Sequence, residues 1–428
     1  MNRALFEYIG HSPTPYHAVS HTAQILSEAG FLPLLECDRW ELRRGQGYYV
    51  TRNGSSLIAF RVPDHDYAGF MMTASHCDSP CFKIRENAES ADAAYVRLST
   101  EKYGGMLCAT WMDRPLSIAG RVAVRTEKGF AVRTVDLKEP CAVIPSVAIH
   151  MNRQANEGAS YNPAVDMIPL YGTNECQNTF RTRIAREAGV REEDLLSSDL
   201  FLYNPQQGTE YNGLICAPRL DDLQCAFGAL TAFLQAKSAD NIPVYCLFDN
   251  EEVGSQSKQG AASTFLPDVL SRIASGLGTD ADALRQKIAH SFLVSCDNAH
   301  AVHPNHPEYT DKNHTVHLNG GIVIKYNANQ RYTTDALSAA VFRLICEEAA
   351  VPCQNYVNRA DMPGGSTLGN IANTQVSLNT VDIGLPQLAM HSACETAGAS
   401  DTAYLIRALT VFYRKSLRMQ DDGSYQLQ

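Results

Sequence analysis

The stretch Phe248-Asp249-Asn250-Glu251-Glu252-Val253-Gly254-Ser255 places two adjacent glutamates shortly after the apolar run 244–248, with only Asp249 and Asn250 between. A short apolar run of this kind predicts a buried strand. Carboxylates seldom follow a core strand unless something compensates their charge. Because adjacent side chains of an extended backbone point to opposite sides, one glutamate can bind a metal while the other acts as a general base. A surface loop would also permit two glutamates. The pair therefore indicates a metal site only when similar fragments occur elsewhere in the chain.

Four more fragments join an apolar run to residues that bind metals. They are 70–74 before Ser75-His76-Cys77-Asp78, the helix-like stretch opened by Arg219-Leu220-Asp221-Asp222, 292–296 before Asp297-Asn298-Ala299-His300, and 387–390 before His391-Ser392. Ligands at strand ends converge at one edge of a sheet in open α/β folds. Histidine nitrogens with carboxylate oxygens suit zinc, cobalt or manganese. The inventory predicts two ions that share a carboxylate, as in two-metal hydrolases.

These fragments, in this order, closely resemble the motifs of the aspartyl aminopeptidase family, a family of co-catalytic zinc metallopeptidases. The resemblance runs nearly end to end, from Ser12-Pro13-Thr14-Pro15-Tyr16-His17 to Ser400-Asp401-Thr402-Ala403. It implies five metal ligands, with Asp221 bridging two ions: His76, Asp221, Glu252, Asp297 and His391. It also implies that Glu251 is the general base and that Asp78 orients His76 through its second ring nitrogen.

The resemblance assigns four further residues to the site. His300, Lys325 and Tyr332 would bind substrate, and the Lys325 ammonium would pair with an acidic side chain in the S1 pocket. Some relatives prefer neutral side chains, so the preferred residue stays open. His150 would lie on the oxyanion side of a neighbouring subunit's active site, although its sequence context alone fits a core or surface histidine equally well.

Composition limits the classes of partner. The 428 residues are 45% hydrophobic and 19% charged, an ordinary globular balance, and the formal net charge is −10. That charge argues against nucleic acid and against an anionic membrane surface. No apolar run approaches the roughly 20 residues that span a bilayer. The N-terminus shows no signal peptide, and many of the thirteen cysteines lie in apolar runs, so we expect reduced thiols and a cytoplasmic location.

The chain is too long for one ordinary core and predicts two domains. Helix-like and strand-like stretches alternate before residue 85 and after residue 215, which predicts an α/β helix–sheet–helix sandwich. Between them, short β-like runs such as 119–124, 130–135 and 143–149 are broken by Gly, Pro and Asn. We therefore predict a peptidase domain formed by 1–84 and 216–428. The inserted, mainly β domain at 85–215 would serve dimerisation and oligomerisation, as the resemblance implies.

Two other motifs invite different interpretations. Five histidines lie between 300 and 317, but Pro304 and Pro307 break the helix that would place His300 and His303 on one face. A separate structural zinc is therefore disfavoured. The glycine-rich segment 361–370 lacks the Gly-Lys-Ser/Thr ending of a P-loop, and a tight loop beside the cleft explains it better.

The predicted function is a metal-dependent aminopeptidase that removes N-terminal residues, preferably Asp or Glu, from peptides. It would hold two zinc ions, with cobalt or manganese as alternatives in one site, and form a homo-oligomer, a dodecamer built from dimers. One alternative is a related N-acyl amino acid deacylase or carboxypeptidase. An arginine that recognises a free carboxylate would favour this alternative, and none stands out next to these motifs. Another is a non-catalytic self-assembling scaffold, against which the intact Glu251 and ligand set argue.

Overall fold

The computed structural model describes residues 1–236 and 240–428. The α-helices in these ranges are α1 Asn2–Gly10, α2 Pro15–Glu28, α3 Phe180–Glu187, α4 Leu220–Gln235, α5 Phe265–Gly276, α6 Ala281–Ala289, α7 Ala336–Glu348, α8 Leu368–Ala372 and α9 Asp401–Phe412. The strands are β1 Leu32–Leu34, β2 Gly47–Arg52, β3 Ser56–Arg61, β4 Phe70–His76, β5 Cys81–Ala91, β6 Tyr95–Tyr103, β7 Ser117–Thr126, β8 Gly129–Asp136, β9 Leu170–Thr173, β10 Leu195–Tyr203, β11 Thr209–Tyr211, β12 Leu214–Ala217, β13 Ile242–Phe248, β14 Phe292–Cys296, β15 Ala299–His300, β16 Ile322–Tyr326, β17 Cys353–Val357, β18 Asn379–Gly384, β19 Pro386–Leu388, β20 Glu395–Gly398, β21 Leu417–Asp421 and β22 Ser424–Leu427.

A nine-stranded mixed sheet forms the centre of the larger part of the fold. Its strand order is β1-β2-β3-β13-β4-β14-β18-β16-β17. The four central strands β13, β4, β14 and β18 are parallel, and His76 stands opposite Phe248 where β4 and β13 end. Their carboxyl ends therefore meet at one edge of the sheet, which is where open α/β folds bind ligands.

Helices bury both faces of this sheet. Leu57 and Leu247 pack on the face covered by α4, α7 and α9, whereas their neighbours Ile58 and Cys246 pack on the face covered by α5 and α8. Successive side chains of a strand alternate between faces, so strands buried on both sides are apolar throughout. This helix–sheet–helix sandwich is the architecture that the sequence predicted.

The chain between β4 and α4 forms a separate antiparallel sheet of six strands. Its strand order is β8-β7-β10-β5-β6-β9. Its buried face packs against α3 through Phe180 and Ile184. The mainly β insertion of the predicted fold class is therefore present. The sheet itself spans Cys81–Tyr203, and the domain limits 1–84, 85–215 and 216–428 stay a prediction.

Three predicted elements differ from the structure. The run 143–149 forms only isolated bridges at Val143 and Ile144. Val147 and Ile149 pair with no strand in the described part of the chain and are 59% and 48% exposed. The helix expected at 257–276 begins at Phe265. The closing helix, expected to reach residue 418, ends at Phe412, and the β21–β22 hairpin follows. Among the helices described, none is both long and apolar enough to cross a membrane.

Candidate metal centre

Each predicted ligand lies where a regular element begins or ends. His76 is the last residue of β4, and Asp297 follows β14 directly. Asp221 lies in the first turn of α4. His391 has a left-handed φ of 65° in the loop between β19 and β20, two strands that pair with each other. Sheet topology, rather than proximity in the chain, therefore brings these side chains together.

The two glutamates lie in a tight turn and not, as the sequence argument assumed, on an extended backbone. After β13, Asn250 adopts a left-handed φ of 65°, and Glu251–Val253 form a 3-10 turn. Asparagine tolerates this conformation better than most residues because its short polar side chain can hydrogen-bond locally. The turn still gives the glutamates different surroundings. Glu252 Oε1 lies 3.3 Å from His391 Nε2, whereas the Glu251 carboxylate makes no hydrogen bond within 1–236 and 240–428 and faces the cleft.

Asp221 occupies the centre of the cluster. Its Oδ1 lies 3.4 Å from His76 Nε2, and its Oδ2 lies 3.5 Å from His391 Nε2. Two groups of three residues have ligand atoms within 4.8 Å of one another, and Asp221 belongs to both. They are His76 with Asp221 and Glu252, and Asp221 with Asp222 and Asp297. A carboxylate that offers one oxygen to each side is the arrangement that a shared ligand requires.

The chemistry of this cluster fits zinc. Asp221 Oδ1, Asp222 Oδ1 and Glu252 Oε1 are buried and have no hydrogen-bond partner in the described part of the chain. Leaving a buried carboxylate oxygen without a partner is unfavourable, and a cation can supply what is missing. Imidazole nitrogens and carboxylate oxygens are zinc ligands. Residues that hydrogen-bond to these ligands must hold them in place.

Asp78 is one of these supporting residues and contacts His76 in two ways. His76 Nδ1 lies 3.0 Å from the main-chain oxygen of Asp78 and 3.4 Å from its carboxylate Oδ1. The carbonyl is the nearer acceptor, and a hydrogen bond to it directs Nε2 towards Asp221. The Asp78 carboxylate also accepts hydrogen bonds from the backbone N–H groups of Glu251 and Glu252, at 3.1 Å each.

Two acidic residues have larger roles than the sequence showed. Glu395 accepts hydrogen bonds from the backbone of Asp221 at 2.9 Å and of His391 at 2.7 Å, so it holds two predicted ligands. Asp222 accepts from the His76 backbone at 3.2 Å and directs its other oxygen into the carboxylate cluster. The only sequence signal for these roles was their place beside predicted ligands.

Burial and neighbouring opposite charges act against each other on the pKa values of the cluster. Burial raises the pKa of Glu252 to about 7, although His391 opposes the shift. Burial likewise raises the pKa of Asp297. Burial by itself would lower the pKa of His391, but contacts with Asp221 and Glu252 raise it to about 11. Both displacements are those expected of buried carboxylates whose negative charge is not fully compensated.

Next to the cluster is a cleft of about 210 Å³ that the predicted substrate residues line. Lys325 is 3% exposed. Its Nζ donates to the main-chain oxygen of Asn298 at 2.9 Å and lies 3.5 Å from Asp297 Oδ1. Burial by itself would lower the pKa of Lys325, but Asp297 raises it. Tyr332 lies beneath this ammonium, with its ring centre 5.5 Å away, and His300 also faces the cleft.

Two predicted site residues, Asp78 and His150, do not line this cleft; Asp78 contacts His76 from behind, whereas His150 lies elsewhere. It is exposed in the segment 145–166, which has no regular secondary structure. Met151 beside it is 84% exposed. A single copy of the chain therefore does not bring His150 to its own cluster.

Comparison with known proteins identifies the family. The profile described as "Aminopeptidase I zinc metalloprotease (M18)" matches residues 8–413. A probable M18 family aminopeptidase 2 of Clostridium acetobutylicum is 43% identical over 423 residues, covering 96% of this chain and 98% of that protein. A protein of the same description from Pseudomonas aeruginosa is 41% identical over 427 residues, covering 97% and 98%.

Solved structures agree with this comparison. The chain superposes on one chain of the cryo-EM structure of the Ape4 and Nbr1 complex with a TM-score of 0.93 at 34% identity, covering 96% of this chain and 85% of that chain. For the S. cerevisiae mApe1 dodecamer the TM-score is 0.84 at 28% identity, covering 96% of each chain. M18 is the aspartyl aminopeptidase family, so the resemblance seen in the sequence is confirmed. This chain belongs to the M18 family of zinc metallo-aminopeptidases.

Proposed function

We propose that this metallo-aminopeptidase holds two zinc ions and removes Asp and Glu from the N-termini of peptides. The observation that carries the two-ion part is that Asp221 presents Oδ1 to His76 and Oδ2 to His391. His76, Glu252, Asp297 and His391 would complete the two sites, and cobalt or manganese could replace zinc in one of them. When bound, the ions supply Lewis acidity that polarises the scissile carbonyl and makes a water molecule more acidic.

Glu251 is assigned the proton transfers. Its carboxylate faces the cleft without a protein hydrogen bond among the residues described, and its backbone N–H is held by Asp78. A carboxylate in that position is free to accept a proton from water and to deliver it to the leaving amine. Glu252 is less suited to act as the general base, because it already contacts His391 at 3.3 Å.

The cleft suits a peptide N-terminus with an acidic side chain. The ammonium of Lys325 and the ring of His300 face it, and the phenol of Tyr332 packs under Lys325. An ammonium so well shielded from water would form a charge-assisted hydrogen bond with a substrate carboxylate. The free α-amine would lie against the metal cluster or one of its carboxylates, which restricts cleavage to chain ends.

We also propose a homo-oligomer, a dodecamer built from dimers, in which His150 completes the cleft of a neighbouring copy. The supporting observations are the exposed segment around His150, with apolar Val147 and Met151 facing outwards, and the mApe1 relative whose structure is a dodecamer. Identical subunits that reuse one surface usually form a closed symmetric assembly. His150 would then stabilise the developing oxyanion from a second chain.

A panel of aminoacyl reporter substrates tests the proposal. Free-amine Asp and Glu should be cleaved fastest, their uncharged isosteres Asn and Gln much more slowly, and N-acetylated Asp not at all. Zinc analysis of the purified protein should give two ions per chain. Faster cleavage of Leu or Ala than of Asp would contradict the acidic preference, and cleavage of N-acetyl-Asp would favour the deacylase alternative.

A further inference from the structure

The Asp78 carboxylate receives a third hydrogen bond, from a residue outside the nine-stranded sheet. Tyr103, the last residue of β6, donates its hydroxyl to Asp78 Oδ2 at 2.7 Å. The same oxygen accepts the Glu252 N–H, and the other oxygen accepts the Glu251 N–H. Because Asp78 is only 1% exposed, water cannot readily replace a lost donor. Of these three donors, the phenol is the one that mutation can remove without changing the backbone.

The Tyr103 hydroxyl also accepts a hydrogen bond. Asn250 Nδ2 donates to it at 2.9 Å, and Ser257 and Gln259 both donate to Asn250 Oδ1 at 2.7 Å. Asn250 is the left-handed residue that starts the turn of the two glutamates. A single phenol therefore connects the loop after His76 with the turn after β13.

The residues after Tyr103 continue along the metal cluster. Gly104 has a φ of +73°, and a Cβ added there would lie 3.2 Å from both the Cβ and the main-chain oxygen of Glu252. Leu107 donates its backbone N–H to the main-chain oxygen of His391 at 3.1 Å. The segment that follows β6 thus contacts the backbone of both Glu252 and His391, and Gly104 permits the close approach.

From these contacts we infer that Tyr103 is a positioning residue for the metal centre, acting through Asp78 and the Glu251–Glu252 turn. The inference rests on the proposed ligand set. Without the phenol, Asp78 Oδ2 keeps only the Glu252 N–H, and Asn250 loses its side-chain acceptor. His76 and Glu252 would then hold their orientations less firmly, which lowers affinity for the metal. Because β6 belongs to the six-stranded sheet, the inserted region directly supports the zinc ligands.

The test compares Tyr103→Phe with a matched control, Tyr203→Phe. Tyr203 ends β10 of the same six-stranded sheet and donates to Asp136 Oδ1 at 2.7 Å, a carboxylate outside the proposed ligand set and its hydrogen-bond partners. Zinc dissociation constants are measured by competition with a chelator, and the visible spectrum of the cobalt-substituted protein reports ligand geometry. For Tyr103→Phe we expect zinc affinity to fall by about 10- to 100-fold and the cobalt bands to shift. Tyr203→Phe should match the wild type in both measurements.

Circular dichroism and melting temperature establish that each variant is folded before zinc is measured. Wild-type zinc affinity and an unchanged cobalt spectrum in folded Tyr103→Phe would overturn the inference. A double-mutant cycle with Asp78→Ala tests the route: if Tyr103 acts through Asp78, removing the phenol should cost little further affinity once Asp78 is gone, and additive losses would refute this route. These measurements use no substrate, so a wrong acidic preference would not affect them. Failure of the wild type to bind zinc would instead refute the ligand set.

Discussion

Changing Lys325 to Met tests the acidic preference. Lys325 is 3% exposed and its Nζ lies 3.5 Å from Asp297 Oδ1, so salt screens its charge poorly. Truncating one side of a desolvated charge pair costs about 2–5 kcal/mol. Since 1.4 kcal/mol corresponds to a factor of ten, kcat/KM for N-terminal Asp and Glu should fall on the order of 100-fold. Neutral substrates should be unaffected or improve, because they no longer face a buried cation.

The assay measures kcat/KM for Asp, Glu, Asn and Leu reporters, with zinc content determined on the same samples. Lys83→Met provides a control, because it also removes an ammonium from an ion pair, with Asp199 at 2.9 Å, but in the six-stranded sheet. It should leave the ratio of acidic to neutral cleavage at the wild-type value. Zinc content near the wild-type level in Lys325→Met would show that Asp297 still binds metal.

Two results would refute the reasoning. If acidic and neutral substrates lose rate in the same proportion, Lys325 serves to hold Asp297 and Asn298, which it contacts in the structure. If the wild-type enzyme already prefers neutral residues, its pocket does not use this ammonium for recognition. Membership of the M18 aminopeptidase family would stand in both cases.

Three further predictions concern other residues. Glu251→Gln should lower kcat by at least about 100-fold with zinc content unchanged, whereas Glu252→Gln should lose zinc, and equal zinc loss in both would contradict the assigned roles. His150→Ala should lower kcat by about 100-fold in an assembly that light scattering finds intact, and a fully active wild-type monomer would contradict a shared site. The neighbouring Cys346 lowers the pKa of Cys353 below its ordinary value, so its thiolate should form at a lower pH than that of a free cysteine. Alkylation followed by mass spectrometry should show a midpoint below the ordinary value near 8.5, and Cys346→Ala, which removes the neighbouring thiol, should raise it towards that value.

Local patterns in the sequence account for much of this protein. Apolar runs shortly before His76, Glu251 and Asp297 predicted strands. The observed strands β4 and β14 end at or next to His76 and Asp297, and β13 ends three residues before Glu251. This works because burial of both faces makes a strand apolar throughout, and because a polar residue at its end marks the sheet edge. The ligand types alone indicated a metal, and the order of the motifs identified the family. The prediction of a β-run at 143–149 was wrong at Val147 and Ile149, because apolar character alone does not supply a partner strand.

The tertiary structure decided how those residues are arranged. Only the packing of α4 against the sheet places Asp221 between His76 and His391. A turn, rather than an extended strand, gives Glu251 and Glu252 their different surroundings. The link from Tyr103 to Asp78 joins two separate sheets. Contacts of this kind depend on where distant segments meet when their apolar faces pack together, and the spacing of residues along the chain carries no measure of that distance.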